Sequence, residues 1–119
     1  MILEKPWGNI KAYIINQPCT VKIISISEGQ ETSLHYHKLR DETWITLDEG
    51  LEVTIGEAVS LGEAGTEYLV AAGELHRIRS LGKSGRVLEI DLGFTSEDDN
   101  YRIKDEYGRK LEEREDEGL

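Results

Sequence analysis

The stretch His35-Tyr36-His37-Lys38-Leu39-Arg40-Asp41-Glu42 decides how the rest of the chain is read. All three histidines of the protein belong to one pattern, His35-x-His37-x4-Glu42 followed far downstream by His76. Residues two apart on an extended strand project to the same face, so His35 and His37 can offer imidazole nitrogens to one point in space. Two neighbouring imidazoles, a third from a distant segment and a carboxylate form a nitrogen- and oxygen-donor shell. Such a shell suits Zn, Fe, Mn, Ni or Co better than Ca or Mg. Taken singly, each histidine is equally well explained as a partly buried residue satisfied by a backbone hydrogen bond; the shared spacing favours the metal. Glu42 stands an odd number of residues from His37, so strict alternation would turn it away. A turn or bulge within Lys38-Leu39-Arg40-Asp41 must bring it back.

Outward from this stretch the chain reads as β-structure. Between residues 10 and 93, short apolar runs rich in β-branched residues alternate with Gly, Asp, Asn and Ser. Strands are predicted at Val21–Ile26, Trp44–Leu47, Leu51–Ile55, Glu67–Val70, Leu75–Ile78 and Val87–Leu92. Asp48-Glu49-Gly50 is a turn signal, and the alternation in Leu51–Ile55 predicts the return strand of a hairpin with Trp44–Leu47. Strands at such intervals suit a sandwich or barrel. Ser96-Glu97-Asp98-Asp99 carries a cap and an acid three residues on, which predicts a short helix or turn. After Arg109 the chain becomes strongly acidic, and residues 110–119 are expected to form a frayed or disordered tail beyond a single domain of residues 1–109.

Bulk properties narrow the function. A chain of 119 residues is the size of one domain. The formal net charge of -10 opposes non-specific attraction to nucleic acid or anionic membrane. No stretch approaches the ~20 apolar residues of a membrane span, and the amino terminus lacks the pattern of a signal peptide, so a cytoplasmic protein is expected. Cys19 stands alone, which precludes an intrachain disulfide and fits a small buried or edge hydrophobe.

The ligand spacing sits in a longer frame, Gly29-x5-His35-x-His37-x4-Glu42 and then Gly65-x5-Ala71-x-Gly73-x2-His76. This frame resembles the two motifs of the cupin superfamily. The resemblance implies an all-β, single-domain double-stranded β-helix, a jelly-roll barrel with a metal near its mouth and a short carboxy-terminal helix or tail. Two features depart from the motifs. Ala71 stands where proline is usual, and Gly50 comes one residue late, implying a bulge around Asp48 and Glu49. Each turn still keeps a glycine able to take a positive φ.

The flanks narrow the resemblance. Lys5-Pro6-Trp7-Gly8, Val21-Lys22, Glu42-Thr43-Trp44, and Glu97-Asp98-Asp99 through Arg102 to Asp105-Glu106-Tyr107-Gly108-Arg109 are similar to the type II phosphomannose isomerase family. That family also occurs as the carboxy-terminal domain of bifunctional mannose-1-phosphate guanylyltransferases. The resemblance implies interconversion of mannose 6-phosphate and fructose 6-phosphate, with His35, His37, Glu42 and His76 around a divalent ion. Zinc is the leading ion, with Mn, Fe, Ni or Co as alternatives. His35 stands where members often have Gln, which makes this shell richer in nitrogen. By the same resemblance Arg102 and Arg109 would bind the substrate phosphate, and the protein would form a homodimer.

Moving a proton between C1 and C2 of a sugar requires a base near the metal. Glu89 and Asp91 lie two apart on the last long strand, so either serves if their face points inward; Leu88, Ile90 and Leu92 on the other face look more like core. Glu89 with Lys22, whose face carries Ile24 and Ile26, forms the expected catalytic pair. Arg77 and Arg79 fall opposite His76 and read as exterior. Two other readings stay open. The same shell suits a cupin dioxygenase acting on an enol, and the fold also hosts non-catalytic sugar or metabolite binders.

Overall fold

The structure, a computed structural model, describes residues 1–112, and no helix occurs among them. The strands are β1 (Ile2–Lys5), β2 (Gly8–Lys11), β3 (Thr20–Ile26), β4 (Leu34–Tyr36), β5 (Arg40–Thr46), β6 (Leu51–Ile55), β7 (Ala58–Gly62), β8 (Glu67–Val70), β9 (His76–Ser80), β10 (Gly85–Gly93) and β11 (Tyr101–Lys104). Of the expected acidic tail, residues 110–112 carry no regular structure and 113–119 lie outside the described residues.

Two antiparallel sheets face each other. One has the order β3-β10-β5-β8 and the other β11-β4-β9-β6-β7. Their inner faces meet in a core of Ile26, Trp44, Val70 and Val87 from the first sheet and Leu51, Val53 and Ile78 from the second. Alternation explains the register: in β5 the inward residues are Arg40, Glu42, Trp44 and Thr46, and in β10 they are Gly85, Val87, Glu89 and Asp91. The sheets approach so closely at Gly85 that a Cβ there would lie 2.6 Å from a methyl of Leu51. Only glycine fits without displacing that core leucine.

Several expectations change. Trp44–Leu47 and Leu51–Ile55 do not form a hairpin, because β5 pairs with β10 and β8 while β6 pairs with β7 and β9. Asp48-Glu49-Gly50 instead carries the chain from one sheet to the other, with Gly50 at φ 80°. This crossing takes the place of the bulge expected at Asp48 and Glu49, and Asp48 is tied down by Arg86 at 2.9 Å. The real hairpin partner of β6 is β7, reached through Gly56-Glu57 with Gly56 at φ 59°. The Leu88, Ile90 and Leu92 face is not the core of β10; it faces outward and the acids face in.

Strands β1, β2, β7 and β11 went unread in the sequence. The first two form a hairpin whose residues are all exposed, including Ile2, Leu3, Trp7 and Ile10. Lys11, the last residue of β2, and Tyr13 just past it both bond Glu67 on β8. Ser96–Asp99 forms a turn, with the Asp99 amide donating to the Ser96 carbonyl at 3.1 Å. Cys19 is exposed, just before edge strand β3.

Candidate metal centre

β4 and β9 pair directly at His35 and His76, and β4 ends one residue before His37. Each imidazole is fixed by its Nδ1, which lies 2.8 Å from the Ser33 carbonyl for His35, 2.6 Å from that of Asp99 for His37 and 2.9 Å from that of Glu74 for His76. A carbonyl only accepts, so each Nδ1 carries the proton and each Nε2 presents a lone pair. One ligand nitrogen from each ring lies within 4.8 Å of the others. Ring centroids are 4.3 to 5.0 Å apart.

Burial keeps these rings neutral. It is the first cause that pushes His35 down to about 3, with repulsion from His76 adding to it, and His76 down to about 4. Burial also lowers His37. Three neutral imidazoles at pH 7 are metal-ready ligands, since no proton need be expelled from Nε2.

Glu42 reaches this trio from the other sheet. Its Oε2 lies 3.4 Å from His37 Nε2 and its Oε1 lies 3.9 Å from His76 Nε2. The Lys38-Leu39 turn restores its direction. Both amides of that turn donate to the Asp99 carboxylate at 2.9 Å, and the Asp99 carbonyl holds His37. Trp44 Nε1 donates to Glu42 Oε1 at 2.8 Å and Arg40 Nε donates to Oε2 at 2.7 Å. Burial alone would raise the Glu42 pKa, but the His76 ring and the Arg40 hydrogen bond hold it below the ordinary carboxylate value.

Beside the histidines lies a second cluster, Glu42, Glu89 and Asp91, with carboxylate oxygens within 4.8 Å of one another. Glu89 and Asp91 are 3 % and 0 % exposed, so the face bearing them is turned fully inward. Burial first, then the charge of Glu42 and the neighbouring Asp91, pushes Glu89 up to about 9. Lys22 sits 3.6 Å from Glu89 and 3.4 Å from Asp91, its side chain a third exposed at the rim. Arg40 is the main internal counter-charge, 3.8 Å from Glu89 and 3.7 Å from Asp91.

The remaining expected site residues divide. Arg102 pairs in register with His35 and therefore shares its face; its Nε is buried with no hydrogen-bond partner. Arg109 is exposed and held by Asp105 at 2.8 Å, beside Tyr107, which bonds Gln30. It is not brought to the histidines. Trp44 is 1 % exposed and packs edge-on to His76 at 5.3 Å, a core residue and not an open sugar wall. Tyr36 points away from the ligands and stacks on Tyr101.

Two functional residues went unread in the sequence, Arg40 and the supporting role of Asp99. Alternation could have found Arg40, since it stands two before Glu42 on β5 and must share its face. Nothing local to Asp99 announces a contact 60 residues away.

The donor set fits a divalent transition ion. His76 Nε2 is buried with no hydrogen-bond partner, which is costly unless something with positive charge meets it. His35, His37 and His76 would hold the ion, with Glu42 the adjoining carboxylate.

A two-sheet barrel with histidines converging inside it defines a cupin. A solved sugar phosphate isomerase of the cupin superfamily from Silicibacter pomeroyi aligns with a TM-score of 0.57 and 20% identity, over 65% of this chain and 51% of that one. Within that class, residues 2–105 match the mannose-6-phosphate isomerase C-terminal family, and the chain belongs to it. It is 35% identical over 107 residues to the xanthan biosynthesis protein XanB of Xanthomonas campestris, covering 88% of this chain and 23% of that protein. A mannose-1-phosphate guanylyltransferase of Sinorhizobium fredii is 31% identical over 87% of this chain and 21% of its own length. The chain thus spans less than a quarter of these two relatives. No helix among the described residues is long and apolar enough to cross a membrane.

Proposed function

We propose that this domain is a metal-dependent aldose–ketose isomerase acting on mannose 6-phosphate and fructose 6-phosphate. The observation that carries this reading is the juxtaposition, within one barrel, of three convergent Nε2 lone pairs and a carboxyl raised to about 9. Membership of the isomerase C-terminal family supports the choice of substrate.

When bound, the divalent ion would supply Lewis-acid stabilisation of the negative charge that develops on the sugar oxygens, with zinc the first candidate. The chain's own residues supply the rest. Glu89, which holds a proton at neutral pH, first passes it to the adjoining Asp91 carboxylate and then, ionised, carries the substrate proton between C1 and C2 through an enediol before recovering its own. Lys22, reached from solvent and 3.6 Å from Glu89, favours the ionised form when the proton must be taken up from carbon. Arg102, on the row of His35 with an unpartnered Nε, is the phosphate anchor. Arg109 joins it only if its pair with Asp105 opens.

The decisive experiment is a coupled assay for fructose 6-phosphate formed from mannose 6-phosphate, with Zn, Mn, Fe, Co and Ni supplied in turn. Turnover that disappears in His37→Ala and Glu42→Gln, both still folded, supports isomerisation. A folded, metal-loaded protein that is inert with every ion rejects it. The nitrogen-rich donor set equally suits oxygen chemistry on an enol, which oxygen uptake with such a substrate would reveal.

The reading includes a cytoplasmic homodimer. The homodimer is supported by the apolar outer surface: the exposed hairpin around Trp7, and a groove of about 320 Å³ whose lining includes Tyr13, Ile14, Leu69, Ile90 and Leu92 alongside Asp41.

A further inference from the structure

Arg40 is the least expected residue of the centre. Its side chain is 5% exposed, and its guanidinium donates from Nη2 to His37 Nε2 at 3.0 Å and from Nε to Glu42 Oε2 at 2.7 Å. His37 Nε2 is the lone pair that a metal would take, because Nδ1 is committed to the Asp99 carbonyl. Glu42 Oε2 is the carboxylate oxygen nearer to that ring. One internal cation therefore holds a nitrogen and an oxygen of the candidate metal shell. The other two imidazoles have no such competitor: His35 Nε2 receives no hydrogen bond from a cation among the described residues, and His76 Nε2 is unpartnered.

We infer that Arg40 is a built-in competitor of the metal ion, bonded to His37 and Glu42 in the metal-free protein and displaced from them on loading. A guanidinium cannot stay hydrogen-bonded to a lone pair that a dication has taken, and two cations so close in a water-poor interior repel strongly. The displaced group has acceptors within reach. Glu89 Oε2 and Asp91 Oδ2 lie 3.8 and 3.7 Å from it, too far for good hydrogen bonds; Glu89 Oε2 is buried without a hydrogen-bond partner, and Asp91 Oδ2 accepts only a long bond from Thr95 Oγ1 at 3.4 Å. A retreat of about 1 Å would convert those approaches into hydrogen bonds of ordinary length. Arg40 thereby sets metal affinity low enough for exchange and links loading to the charge of the acid pair. A residue that merely braced Glu42 would do the opposite, since its loss would disorder a ligand.

The inference rests on the metal reading, and titration of the metal-free full chain with Zn²⁺ and Co²⁺, followed by competition with a chromophoric chelator and by the cobalt absorption bands, separates the two. Wild-type protein that binds neither ion defeats the metal reading itself. Given binding, Arg40→Gln is expected to tighten it at least tenfold for both ions; a smaller gain, no change or a loss overturns the role of Arg40. Lys22→Met removes the same unit of charge from beside Glu89 and Asp91 without touching His37, and its gain is expected to stay below threefold. Equal gains in the two variants would reduce the effect to net charge and overturn the inference. Should Arg40→Gln fail to fold without metal, Arg40→Lys keeps the charge but cannot reach His37 and Glu42 with a fork. Tightening of at least threefold in that variant supports the competition, and anything less overturns it.

Discussion

The inward face of β10 carries Val87 towards one end of the barrel and Glu89 and Asp91 towards the other, and the two ends cohere by different physics. Around Val87, the residues Leu51, Val53, Ile78 and Trp44 exclude water and need no partner beyond shape. Around Glu89, His37, His76, Glu42, Asp91 and Arg40 are buried, with His35 half-buried beside them, at a cost that only mutual compensation offsets. The contrast teaches that one small jelly roll can keep a self-sufficient apolar core and, a few residues along the same strands, an interior whose charges must compensate one another.

The sharpest test of that division is Leu51→Ala, a fully buried side chain of the apolar end. It should cost about 2–5 kcal/mol of stability in denaturant unfolding and leave metal affinity of the folded protein within threefold. A tenfold loss of metal affinity would show the two ends to be one unit.

Next in size is Asp99→Ala. The substitution removes the carboxylate that takes the Lys38 and Leu39 amides and leaves the backbone carbonyl that holds His37 without that anchor, so it should cost about 1.5–3 kcal/mol. Unlike Leu51→Ala, it should also weaken metal binding about 10- to 100-fold, measured by the same chelator competition. Loss of stability with unchanged affinity would mean that the turn does not position His37.

The pH response separates the ends further. His35 and His76 are pushed down to about 3 and 4 in the fold against an ordinary 6.5, so the unfolded chain binds more protons and metal-free stability falls as pH drops below about 6.5. Glu89 is raised from 4.5 to about 9, so here the folded state binds the extra proton and stability declines as pH rises across that interval. Glu89→Gln should abolish the decline between pH 7 and 9 while leaving the acid limb in place, read from unfolding midpoints at fixed pH. Persistence of the alkaline limb would assign it to another group. Leu51→Ala should lower the whole profile without altering its shape.

The smallest effect belongs to the surface. Trp7 is 72% exposed, so Trp7→Ser should change the stability of a monomer by less than about 0.5 kcal/mol. Sedimentation equilibrium should nonetheless show weakened self-association, and an unchanged dimer would place the interface away from the hairpin.

How much of this was legible in the residues varies by element. Leu51–Ile55 and Glu67–Val70 emerge with the bounds that alternation and turn residues indicate, because both are half-buried strands with clean punctuation. The pairing of the first was misread, since a Gly-containing turn looks the same whether the chain returns along its neighbour or crosses to a facing sheet. The β10 face was misread for a related reason. Leu88, Ile90 and Leu92 are the apolar choice for a core by composition, and only knowledge of what lies opposite shows why Glu89 and Asp91 are tolerable inside.

By itself, then, the order of residues determined a β-domain with two histidine-bearing stretches, the family frame around them and a formal net charge of -10. Each of these depends on local periodicity, composition or short-range spacing, which a linear chain displays directly. Tertiary structure alone decided that Arg40 sits between the histidines and the acids, that Asp99 holds a turn some 60 residues upstream and that Arg109 is kept apart from the centre. Those facts depend on which charges share a water-poor volume, and electrostatic compensation acts through space between sheets, with no period that a sequence can show.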